Sequence, residues 1–137
     1  MGGVRRHVSR RRGAETIEAA LTLPLILLVI FGGMEYGWMI LRSSQMHVAA
    51  RVGAREASLS GSSAESVDTV VRSTLLASGI DTFSIEFDPS APEYAEPGTT
   101  IKVSVSSVYS GMSLIGLDRI MPLPDSLSGS SVMLKED

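Results

Sequence analysis

Residues 1–41 read MGGVRRHVSRRRGAETIEAALTLPLILLVIFGGMEYGWMIL: an arginine-rich head of thirteen residues followed by one long apolar run. From Ile17 to Leu41 the run is broken only by Glu18, Thr22, Glu35 and a few small residues. A helix needs roughly 20 such residues to cross a bilayer. The reading is a membrane span over residues 14–41, with residues 1–13 as a basic leader. Basic residues that flank a span stay on the cytoplasmic side. Arg5, Arg6, Arg10, Arg11 and Arg12 precede this one, against Arg42 just beyond it, so the C-terminal part is expected to face outward. An ordinary secretory signal would show a small-x-small cleavage site soon after its apolar core, where FGGMEYGWM stands instead. SRRR is a poor twin-arginine signal, because Gly13, Ala14 and Glu15 do not begin an apolar run.

Working outward, 137 residues allow one small domain beside this anchor. Twelve basic residues face fifteen acidic ones, and all the acids follow Gly13. A chain starting at Ala14 would keep seven basic residues and carry a net charge of minus eight. That balance argues against a nucleic-acid partner, which wants a basic face. Cysteine is absent, which excludes a disulfide framework and thiolate metal sites.

The helix is expected to continue past the span through LRSSQMHVAARVGAREASL, giving an extension over 42–60 and a stalk-and-head shape. Pro24 removes one backbone hydrogen bond inside the span and predicts a kink or a short unwound stretch. Over 61–137 the pattern is that of a small α+β domain. Ser62 and Glu65 resemble a capping box for a second helix that carries Val67, Val70, Val71, Leu75 and Leu76 and stops at Gly79. TFSIEFD (82–88) alternates with period two, as does TTIKVSVSSVY (99–109), where Ser106 and Ser107 shift Val108 out of phase and point to a bulge or the strand end. SSVMLKE (130–136) predicts a third strand, and the stretch before it reads mostly as loop. The expected fold class is α+β: a long N-terminal helix, a second helix and a three-stranded antiparallel sheet.

The residues then carry a family resemblance. RRGAETIEAALTLPLILLVIFGGMEYGWMILRSSQMHVAARVGAREAS (residues 11–58) resembles the N-terminal segment of TadE-like proteins of the tight-adherence (Flp, type IVc) pilus system. It does so through RRG, the Glu18 position, Leu23-Pro24-Leu25, the FGxxEYG run from Phe31 to Gly37, and AARxGAREA from Ala49 to Ala57. The resemblance implies a minor pilin or pseudopilin, cut after Gly13 by a prepilin peptidase and needed to assemble adhesive pili. It also implies a bacterial inner-membrane location with the domain on the periplasmic side. The implied partners are that peptidase, other minor pilins, the major pilin, the inner-membrane assembly platform and the lipid bilayer. A TadF-like chain is the close competitor, and a membrane-anchored periplasmic module outside any pilus is the alternative of a different class.

Cleavage between Gly13 and Ala14 would leave an ammonium on Ala14 one helical turn from Glu18, on nearly the same side. Both charges would stand in apolar surroundings, and pairing with a neighbouring subunit would neutralise them and set the helices in register. The blander reading lets Glu18 snorkel to the headgroups; Glu15 would share the ammonium or stay hydrated. Glu35 falls roughly 25 Å from Glu18, near the opposite bilayer face, where Tyr36 and Trp38 fit an aromatic belt. Its functional reading is a contact with another subunit, for example with Arg42 of a neighbour. Gly33 and Gly37 form a GxxxG pair, and Ala49, Gly53 and Ala57 continue small residues at four-residue spacing, a pattern for helix packing. No catalytic constellation, metal site or cofactor motif is legible: His47 stands alone, the serines lie in turn contexts, and Asp88, Glu93, Glu96 and Asp125 lack the spacing of a calcium loop.

Overall fold

A computed structural model describes residues 9–117 and 120–137, with side chains from Gly13 onward. The head at 1–8, with Arg5 and Arg6 of the expected leader, lies outside the described residues, as do Asp118 and Arg119. Helix α1 runs from Ser9 to Ser58 without interruption. It does not begin at Ala14, because nothing in the arginine-rich stretch breaks a helix; Gly13 and Ala14 lie within it. Pro24 sits inside α1 and no unwound stretch follows.

The expected stalk is a core helix. Met46, Ala49, Ala50, Ala54 and Ala57 are fully buried and make one wall of the hydrophobic core. Helix α2 (Ala64–Ala77) supplies Val67, Val71 and Leu75, while Leu76 stays exposed. Its cap differs from the expected one: Ser63, in extended conformation, accepts from the Ser66 N–H, and Ser66 Oγ answers the Ser63 N–H. Ser62 is instead turned inward, its hydroxyl donating to the Ala57 carbonyl.

The sheet is antiparallel in the order β1 (Ser84–Asp88), β2 (Thr100–Val108), β3 (Ser126–Leu134). Two single 3-10 turns, Pro92–Tyr94 and Tyr109–Gly111, flank β2. β2 sends Ile101, Val103 and Val105 inward, and Ile85 and Phe87 of β1 pair with Val105 and Val103. No bulge forms at Ser106-Ser107; the register runs unbroken to Val108. Ser107 takes the next inward position and donates to the Thr82 carbonyl, so a hydroxyl continues an apolar face. β3 begins four residues before the expected strand. Its Gly129 sits opposite Val105 and against α1, where a Cβ would lie 2.5 Å from the Met46 carbonyl carbon and the His47 nitrogen. A strand backbone therefore lies directly on a helix backbone there, which only glycine allows. Gly53 does the same for α2: a Cβ would overlap the Val71 side chain.

The chain end closes the domain. Lys135 is buried, and its Nζ donates to the carbonyls of Ala57 (3.1 Å) and Leu59 (2.8 Å) and to Ser62 Oγ (3.1 Å). A cation on the last carbonyls of a helix satisfies acceptors that have no partner within the helix and matches its dipole.

Candidate functional site

Two regions of α1 carry the chemistry. The first is the segment from Gly13 to Glu18, where the side chains of Ala14, Glu15 and Glu18 are exposed and, among the described residues, no packing partner lies within 4 Å of a Cβ placed on Gly13. The small domain does not reach this end of the helix. Glu18 makes no salt bridge among the described residues, and the hydrogen bond at this position is the Thr22 hydroxyl to its backbone carbonyl, 2.8 Å. From Ile17 to Phe31 the large apolar side chains stand exposed, Leu21 at 74 %. The described part of α1 from Gly13 is long and apolar enough to cross a membrane.

The second region is centred on Glu35, whose carboxylate is turned into the protein and not toward a neighbour's Arg42. Glu35 is fully buried. Its Oε1 accepts from Tyr109 OH (2.7 Å), Ser113 Oγ (2.7 Å) and the Leu114 N–H (3.2 Å). Its Oε2 accepts from the Ile115 N–H at 2.9 Å. A buried carboxylate is tolerable only when its lone pairs are occupied, and four donors occupy them with no cation paired to it among the described residues. Two of these donors are successive backbone N–H groups, a concavity suited to an anion. The loop after β2 is thereby latched onto α1.

The neighbouring aromatics belong to the same latch. Trp38 Nε1 donates to the Met112 carbonyl at 2.7 Å, and Tyr36 OH reaches the Pro122 carbonyl at 3.4 Å. Arg42 covers the Trp38 ring, 4.4 Å from its centroid, and donates to the Ser78 carbonyl at the end of α2. Nothing in the sequence signalled this latch, since the donors lie 74 to 80 positions away from Glu35.

The small residues of α1 divide by location. Ala49, Gly53 and Ala57 are buried inside the domain, with Gly53 against α2. Gly33 and Gly37 have nothing within 4 Å of a Cβ placed on them, so their surface faces away from the domain. His47 is exposed and its Nδ1 donates to the Ser43 carbonyl at 2.9 Å. Among the described residues no group of three His, Asp or Glu side chains is arranged to hold a metal.

A long helix with a bare apolar N-terminal half and a small α+β domain wrapped around its C-terminal half defines the class of chain. Residues 13–55 match the family described as TadE-like protein. The matched segment runs from the glycine before Ala14 to Arg55, on the exposed side of the α1 turns that pack in the core, and covers just under a third of the 137 residues. It associates the chain with tight-adherence pilus systems. No curated protein and no solved structure matches.

Proposed function

We propose that this chain is a minor pilin or pseudopilin of a tight-adherence (Flp, type IVc) pilus: a single-pass subunit of the bacterial inner membrane with its domain on the periplasmic side. In this reading a prepilin peptidase cuts between Gly13 and Ala14, and the mature subunit meets other minor pilins, the major pilin and the inner-membrane assembly platform. Its role is assembly and surface adhesion, not catalysis. The observation that carries the reading is the family match beginning at Gly13, on a helix whose Glu18 lies five positions on and is exposed.

The mechanism follows from charge. Cutting after Gly13 removes five arginines and creates an ammonium at Ala14. That ammonium and Glu18 are each costly in hydrocarbon, and a carboxylate from one subunit set against the ammonium of the next removes both costs in a single geometry. The helices then dock in one register. Gly33 and Gly37 add a surface free of side chains where a second helix can approach closely. Glu18→Ala is the test. It leaves one charge uncompensated, at a cost of roughly 3 to 5 kcal/mol where the pair is well buried, so pili should be lost while cleavage continues. Normal pilus numbers from cells with only the Glu18→Ala chain would reject the pairing role.

A further inference from the structure

The stretch from Met112 to Met121 carries apolar side chains outward, with Leu114 44 %, Ile115 42 % and Ile120 73 % exposed. Scattered exposed hydrophobics need no explanation, but these continue the exposed apolar surface of α1. Leu117, Ile120 and Met121 line a cleft of about 310 Å³ with Pro24, Leu27, Leu28 and Phe31. A Cβ on Gly32 would lie 3.0 Å from the Met121 methyl carbon.

The helix length decides what surrounds this loop. Gly13 to Phe31 rises about 27 Å, barely the thickness of a hydrocarbon layer. If the loop stood in water, the span would have to end before Pro24, and Gly13 to Leu23 rises only about 15 Å. That is only about half of a 30 Å hydrocarbon layer. Any bilayer that α1 crosses from Gly13 therefore also surrounds the loop beside Pro24–Phe31.

Irregular backbone survives at such depth only where its polar groups are satisfied by the protein. Five N–H groups are satisfied in this way: those of Leu114 and Ile115 go to Glu35, that of Gly116 to Ser113 Oγ, and those of Ile120 and Met121 to the Leu117 carbonyl. We propose that Leu114, Ile115 and Ile120 form a second membrane contact, taking the acyl chains and headgroup boundary of the leaflet on the domain's side. It fixes the height and tilt of the domain on the membrane, which one helix alone leaves free.

The proposal rests on α1 as a membrane span, and one experiment separates the two. The sequence has no cysteine, so Ile115→Cys, Ile120→Cys, Leu23→Cys and Glu65→Cys can each carry a spin label in the full chain. The variants are reconstituted in phosphatidylethanolamine and phosphatidylglycerol vesicles, and collision with oxygen is compared with collision with a water-soluble nickel chelate. Labels at 115 and 120 should shift from the water-like behaviour at 65 to the lipid-like behaviour at 23. Water-like labels at both loop positions, with a lipid-like label at 23, would overturn the loop contact and leave the span standing. Labels at 115 and 120 shielded from both reagents would mean that protein covers the loop and would also overturn it. A water-like label at 23 would remove the span and the loop contact together.

Discussion

Glu35 is a carboxylate whose four hydrogen-bond donors all come from the loop after β2, so one side chain decides whether that loop stays on α1. Replacing it with alanine takes the acceptor from the Leu114 and Ile115 N–H groups and one acceptor each from the Tyr109 and Ser113 hydroxyls, and each polar group left unsatisfied costs about 1–3 kcal/mol. Some recover water as the loop lifts. Glu35→Ala should therefore lower unfolding stability in detergent by roughly 2–4 kcal/mol, measured by denaturant titration. Trp38, the single tryptophan of the chain, reports the same event: its emission should move to longer wavelength as the Met112 carbonyl and its loop leave. Unchanged stability and unchanged emission would show that the latch holds nothing. Ser62 teaches a related lesson about what sequence shows. A serine three residues before a glutamate is a sound cap signal, yet Ser63 with Ser66 makes the cap, because Ser62 is drawn inward by the Ala57 carbonyl and the Lys135 ammonium. Local pattern located the helix start to within one residue. The distant partner that moved it is invisible to any local pattern.

At the scale of elements, periodicity made the two helices and three strands legible, since burying one face writes its period into the sequence. Contacts between elements were less so. Gly129 reads as an ordinary glycine in a serine-rich stretch, but in the fold it lets β3 lie on the backbone of α1. Gly129→Ala puts a methyl against backbone atoms that cannot swing aside, and strain in a packed core costs typically about 1–3 kcal/mol. The melting temperature of this variant should fall clearly. Gly37→Ala, in open space, should leave it unchanged or raise it slightly, by the helix propensity of alanine. Equal melting temperatures for both variants would contradict the packing of β3 on α1. The expected stalk became a core helix for a related reason: the spacing of Ala49, Gly53 and Ala57 marked a packing face, but it did not show that the face is covered by α2 and the sheet of the same chain.

For the whole molecule, the division of α1 matters most. Its C-terminal half is occupied by the domain, and its N-terminal half is bare from Gly13 to Phe31 apart from the loop on one side. The bare half is long and apolar enough to cross a membrane, and there the family match begins. The charge of the chain is divided at the same place, with five arginines before Gly13 and every acid after it. A cut between Gly13 and Ala14 would turn a precursor of net charge minus three into a subunit of minus eight with a new ammonium beside Glu18. Intact-mass measurement on the protein extracted from membranes of cells that hold the peptidase tests this account most directly. The account predicts a chain lighter by residues 1–13 and beginning at Ala14, with the uncut form accumulating when Gly13 is replaced by a bulky residue. A chain that still begins at Met1 in those cells would contradict it.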